Sequence, residues 1–103
     1  QFDGAPPAIA MVPAIAATVR GRIPILVDSG IRTSTDIVKA FCLGASGVML
    51  GRPALWALSC GGSDALFRML DQLRKDVADD MRSLGVKSLK DLNMSWLYPP
   101  DRE

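Results

Sequence analysis

The sequence predicts an α/β fold built on a parallel sheet, and three observations carry that prediction. The elements alternate: helix, strand, helix, strand, helix. Two short apolar runs, "IPILVD" at 23–28 and "GVML" at 47–50, show no polar alternation, the pattern of strands covered on both faces. Each run ends in glycine and arginine, as "VDSGIR" and "MLGRP", so the two strand ends echo one another. Two strands cannot bury their own faces, so the organisation implies part of a larger sheet or barrel.

Residues 1–7, "QFDGAPP", read as loop, because glycine and paired prolines exclude regular structure. Pro13 suits a first helical turn, and that helix is expected to run to about Arg20 and stop at Gly21, with Ile15, Ala16 and Val19 on its apolar face. After the first strand, Thr33, Ser34 or Thr35 caps a helix over roughly 35–43, with Ile37, Val38 and Phe41 apolar and Gly44 ending it. Beyond the second strand, residues 54–60 are apolar and Gly61-Gly62 breaks them. Ser63 is the expected N-cap of a long helix. In it Leu66, Leu70, Leu73, Val77, Met81 and Leu84 recur at steps of three and four, and Gly85 closes it. Arg74, Lys75, Asp76, Asp79 and Asp80 read as its solvated face. Ser88 caps a last turn, and residues 94–103 read as an extended tail after a first segment of 1–93.

Composition narrows the chemistry. The chain has 103 residues, 49% hydrophobic and 22% charged, which is globular rather than disordered. A net charge of +1 gives no bulk electrostatic case for nucleic acid or an anionic membrane. No histidine is present, which removes the commonest general base and metal ligand. Cys42 and Cys60 sit in separate apolar segments and are expected to be two buried free thiols, not a disulfide or a zinc site. No apolar run reaches a membrane span, and neither a signal-peptide pattern nor a C-terminal peroxisomal address is seen, so an intracellular, cytoplasmic location is expected. The chain opens at Gln1 without an initiator Met, as a processed chain or a piece of a longer one does.

The strand ends carry the functional signal. In parallel α/β folds the C-terminal strand ends form the ligand face. Glycine lets a ligand approach the backbone, turn and helix N–H groups point at an anion, and arginine adds a charged fork matched to phosphate. Gly30 with Arg32 and Gly51 with Arg52 would approach one phosphate from two sides. A plainer reading pairs Arg32 with Asp28 or Asp36. Asp28 itself either meets ligand hydroxyls, holds an arginine, or accepts a local hydrogen bond in the turn.

At these residues the sequence resembles the C-terminal portion of the FMN-dependent 2-hydroxy-acid oxidase and dehydrogenase family, which includes glycolate oxidase, lactate oxidase and mandelate dehydrogenase. The matching stretches are "QFDGAP", "GRIPILVDSGIRTSTDIVKAFCLGASGVMLGRPALWAL" and "LRKDVADDMRSLGVKSLKDL". The resemblance implies the last two β/α units of a (β/α)8 TIM barrel, incomplete as a barrel, with FMN as cofactor. The family's "DGGVR" segment falls on Asp28, Ser29, Gly30, Ile31 and Arg32, with Ser29 in place of glycine, and its "GR" pair falls on Gly51 and Arg52. These seven residues are the implied cofactor-binding set; no catalytic or metal residue is assigned.

The resemblance also implies what this chain does not carry. The family's histidine base and substrate-binding arginine lie in an "HGGR" segment directly before the position of Gln1. The complete enzyme would oxidise an L-2-hydroxy acid to a 2-oxo acid. This chain would supply the FMN-phosphate end and be inactive alone, with the rest of the barrel and copies of itself as partners. Two other readings are a non-catalytic phosphate-binding or partner-chain fragment, and a piece of another barrel such as type 2 isopentenyl-diphosphate isomerase, which shares the "GI…DIVKA…GA…VMLG" pattern.

Overall fold

A computed structural model describes residues 7–97. After a 3₁₀ turn at Ala8–Met11, helix α1 (Val12–Val19) starts with Pro13 in its first turn, where the missing N–H costs nothing. It ends at Arg20 and Gly21, both left-handed (φ 53° and 76°). Strand β1 (Leu26–Val27) follows, then α2 (Ser34–Leu43), β2 (Gly47–Val48) and α3 (Arg52–Leu84). Short 3₁₀ turns at Leu89–Asp91 and Met94–Trp96 complete the order. The alternation expected from the sequence is present.

The two strands pair in parallel, Leu26 with Gly47 and Val27 with Val48. Hydrogen bonding continues past the pair: the Ser46 and Met49 N–H groups donate to Ile25 O (2.7 Å) and Val27 O (2.8 Å). The strands are shorter than the apolar runs, and one expectation about them fails. Val27 is buried at 3% exposure, but Leu26 is 63% exposed. The two-stranded sheet is covered on one face only among the described residues, because α1 and α2 both pack on that side.

Helix α2 sits at the centre. One side, through Ile37 and Ala40, joins Val12, Val27, Ile31 and Ala45 in the first core cluster. Its other side, through Val38, Phe41 and Cys42, joins Val77, Leu84 and Leu92 in the second. Each large aliphatic side chain so buried contributes about 1.5–3 kcal/mol. Gly44 ends α2 at φ 119°, and a Cβ there would lie 2.8 Å from the Ala16 Cβ, so α1 and α2 meet through glycine.

Helix α3 is two arms. Gly61 (φ −152°, ψ 16°) and Gly62 (φ 69°, ψ −156°) are non-helical, and Gly62 occupies a region essentially reserved for glycine. The expected break is therefore real, but residues 52–60 are helical too. The turn is made by backbone conformation and not by a Ser63 cap: Ser63 makes no side-chain hydrogen bond to a described residue. The second arm packs Val77 and Leu84 against α2 and buries Met81, while Leu70 stays 45% exposed.

Further expectations need correction. On α1, Val12 is buried and Ala16 and Val19 are half-buried, with Ile15 exposed, because α2 approaches at Ala16. Only Cys42 is buried; Cys60 is exposed where the kink lifts the first arm off the core, and both are free thiols. Met94–Trp96 form a turn, with Asn93 Oδ1 accepting from the Ser95 N–H (2.9 Å), where an extended chain was expected. The rest of the expected tail, 98–103, and most of the expected leading loop, 1–6, lie outside the described residues. Among the described residues no helix is long and apolar enough to cross a membrane.

Candidate functional site

At the C-terminal ends of β1 and β2 lies an open cleft of about 360 Å³. Asp28, Ser29, Gly30, Ile31 and Arg32 line one side, and Gly51 and Arg52 line the other, so all seven expected site residues border one space. Parallel pairing brings this about: strands in register put both following loops at the same edge.

The turn after β1 is built by two successive positive-φ residues, Ser29 (81°) and Gly30 (78°). The Ser29 N–H donates to Asp28 Oδ1 at 2.8 Å, so Asp28 is a local acceptor that holds the turn. Ile31 is 3% exposed and anchors the turn in the first core cluster. The next backbone donors are also committed. The Arg32 and Thr33 N–H groups donate to Asp36 Oδ2 at 2.9 and 3.2 Å, and the Asp36 N–H donates to Thr33 Oγ1 at 3.3 Å. This is a capping box, with Thr33 as the N-cap among the three candidates.

Helix α3 begins differently. Its N-cap is Gly51 (φ −100°, ψ −81°), no side chain caps it, and its first turn holds no acid. Pro53 occupies an early position where no donor is needed. The positive end of the α3 dipole and its first-turn N–H groups are thus uncompensated by described side chains, and Gly51, Arg52 and Pro53 at that end line the cleft.

The two strand ends are therefore not equivalent, although their sequences echo. One helix N-terminus is sealed by its own carboxylate and the other is open. Arg32 and Arg52 are exposed, and neither forms an ion pair with another described residue. Asp28 and Asp36 hold backbone N–H groups and not Arg32, which removes the plainer reading of that arginine. Among the described residues, two guanidinium groups without an ion-pair partner and one uncapped helix terminus border the cleft with one carboxylate, Asp28, so the cleft favours an anion.

Sequence reasoning missed Pro7, Ala8, Met49 and Pro53 in the lining. For Met49 a signal existed: it lies two residues beyond Gly47, the partner of Leu26, and so on the sheet face that also carries Leu26 and Asp28.

The chain is similar in sequence and fold to known proteins. A family model described as FMN-dependent dehydrogenase matches residues 1–99. The chain is 37% identical over 102 residues to a 2-hydroxyacid oxidase of Dictyostelium discoideum, covering 99% of this chain and 26% of the relative. It is 39% identical over 98 residues to an L-lactate oxidase of Nostoc sp., covering 95% of this chain and 27% of the relative. The fold superposes on a mandelate oxidase variant solved with the C4a-OH-FMN adduct at TM-score 0.84 and 44% identity, over 90% of this chain and 29% of that one. The chain thus spans about a quarter of the length of these relatives. Its described residues form part of a TIM barrel and not a closed one. With the family model covering nearly every residue, the chain belongs to the FMN-dependent dehydrogenase family.

Proposed function

We propose that the cleft seats the phosphate of FMN in an enzyme that oxidises an L-2-hydroxy acid to a 2-oxo acid, and that this chain supplies that end of the site. The observation carrying the reading is the meeting of Arg32, Arg52 and the uncapped start of α3 in one cleft. A phosphate fits this donor set: two guanidinium forks and a helix N-terminus offer charge and hydrogen bonds together.

Each residue has a role in this reading. Arg52 and the first turn of α3 hold the phosphate, with Arg32 closing on it from the opposite wall. Gly30 and Gly51, around which a Cβ would meet nothing within 4 Å, keep the cleft open to the ligand's close approach. Ser29 and Ile31 hold the turn in shape. Asp28 keeps one carboxylate oxygen for a ligand hydroxyl while the other holds Ser29. FMN, when bound, supplies the flavin ring that accepts electrons from the hydroxy acid. The chain has no histidine to take a hydroxyl proton, so no catalytic residue is assigned to it.

The same reading accounts for the uncovered sheet face. Leu26 (63% exposed) and Met49 (50%) share that face with Asp28, and the open strand edges beside them need partners. The remaining strands of a complete barrel would cover both.

The test is flavin reduction by L-lactate, glycolate or mandelate, followed as bleaching of the oxidised-flavin band under anaerobic conditions. With the 103-residue chain as the only polypeptide, FMN is expected to stay oxidised. Bleaching by any of the three would overturn the assignment of this chain to the cofactor-phosphate end alone.

A further inference from the structure

Among the described residues, one side-chain to side-chain hydrogen bond joins two different helices. Ser34 Oγ donates to Asp80 Oδ2 at 2.8 Å, between residues 46 positions apart and both partly buried. The other such bonds are local, within α3 or between Asn93 and Ser95. Asp80 was read from the sequence as part of a solvated face, and this contact removes it from that face.

The position of the bond gives it a consequence. Ser34 is the first residue of α2, and Arg32 lies two residues before it. The Arg32 backbone is itself tied to α2 through its N–H and Asp36 Oδ2. Asp80 lies on the second arm of α3, beyond the Gly61-Gly62 break. Apolar packing of Val38 and Cys42 against Val77 and Leu84 holds α2 to α3, but such contacts are non-directional. A hydrogen bond to a carboxylate is directional and short. It fixes where the first turn of α2 lies along the second arm of α3, and so where the Arg32 backbone stands on the packed core.

We infer that Ser34 and Asp80 form a positioning latch for the phosphate end of the cleft, holding its Arg32 wall in place. Neither residue lines the cleft, so the latch acts through Arg32. The inference rests on the cofactor reading above and adds two residues that the motif comparison does not assign.

The test uses the purified protein together with any polypeptide that co-purifies, and measures dissociation constants for FMN and for riboflavin, which lacks the phosphate. Asp80→Ala and Ser34→Ala are each expected to weaken FMN about 2- to 30-fold, the range of off-site coupling, and to leave riboflavin unchanged. Asp80→Asn, which keeps an acceptor oxygen, is expected to restore most of the FMN affinity. In an Arg32→Ala background, Asp80→Ala is expected to add no further loss. Equal losses for FMN and riboflavin, an unchanged FMN constant, or a full additional loss in the Arg32→Ala background would each overturn the latch. If the unsubstituted protein shows no preference for FMN over riboflavin, the cofactor reading fails first and the latch falls with it.

Discussion

The Asp36 carboxylate accepts the Arg32 backbone N–H at 2.9 Å, which leaves the Arg32 guanidinium free of that carboxylate and exposed at the cleft. The acid nearest in sequence to this arginine works on the backbone and not on the charge. Removing it therefore loosens the turn without releasing a guanidinium from an ion pair. Asp36→Ala is expected to cost about 1 kcal/mol of folding stability, the ordinary worth of a helix cap, read as a lowered midpoint in urea denaturation. Thr33→Ala is expected to cost a similar amount, and the double substitution less than the sum, because the two share one capping box.

At Gly44 the end of α2 packs closely on α1. Gly44→Ala meets two obstacles, a φ of 119° and an Ala16 Cβ only 2.8 Å from the new methyl group. Its cost is expected to reach roughly 1–2 kcal/mol or more, measured the same way. Gly85→Ala has a positive φ (77°) but open space around the new Cβ, and is expected to cost less. Equal costs would show that backbone conformation alone decides the outcome.

The two thiols should separate kinetically. Burial pushes the Cys42 thiol up from its ordinary value, so its thiolate is scarce at neutral pH as well as shielded. Cys60 is exposed. A colourless-to-coloured disulfide reagent under native conditions is expected to label one thiol quickly, absent in Cys60→Ser, and the second only on unfolding.

Asp71 is held below the usual carboxylate range by hydrogen bonds from Arg74 and then Lys75 on the same helix. A depressed folded value means that its contribution is present above the unfolded value and is lost as pH falls through the folded one. Its side chain and both partners remain open to solvent, which keeps the effect small. In acid titrations of stability, Asp71→Asn is expected to start slightly less stable at neutral pH, to fall slightly less steeply, and to converge with the unsubstituted protein in acid.

Legibility in the sequence followed the range of the interaction. The Gly61-Gly62 break, the glycine ends of α1, α2 and α3, and the gathering of Asp28–Arg32 with Gly51 and Arg52 were readable, because each rests on local backbone chemistry or on parallel topology. The choice of Thr33 as the cap was not made from the sequence, although Asp36 three residues on is the capping-box spacing. That spacing also separates the sealed start of α2 from the open start of α3. The exposure of Leu26, Ile15 and Cys60 and the bond from Ser34 to Asp80 depend on which surfaces meet in three dimensions. An apolar run or a charge cluster looks the same whether or not a partner covers it.

The most direct measurement is the affinity of the protein for FMN against riboflavin, with and without Arg52→Ala, by quenching of flavin fluorescence in the purified protein and any polypeptide that accompanies it. A phosphate seat predicts that FMN binds more tightly than riboflavin and that Arg52→Ala removes about 1.5–3 kcal/mol of that preference, the worth of a hydrogen bond to a charged group. Equal affinity for the two flavins, or an FMN constant untouched by Arg52→Ala, would contradict the account and leave Arg52 as a surface charge at the start of a helix.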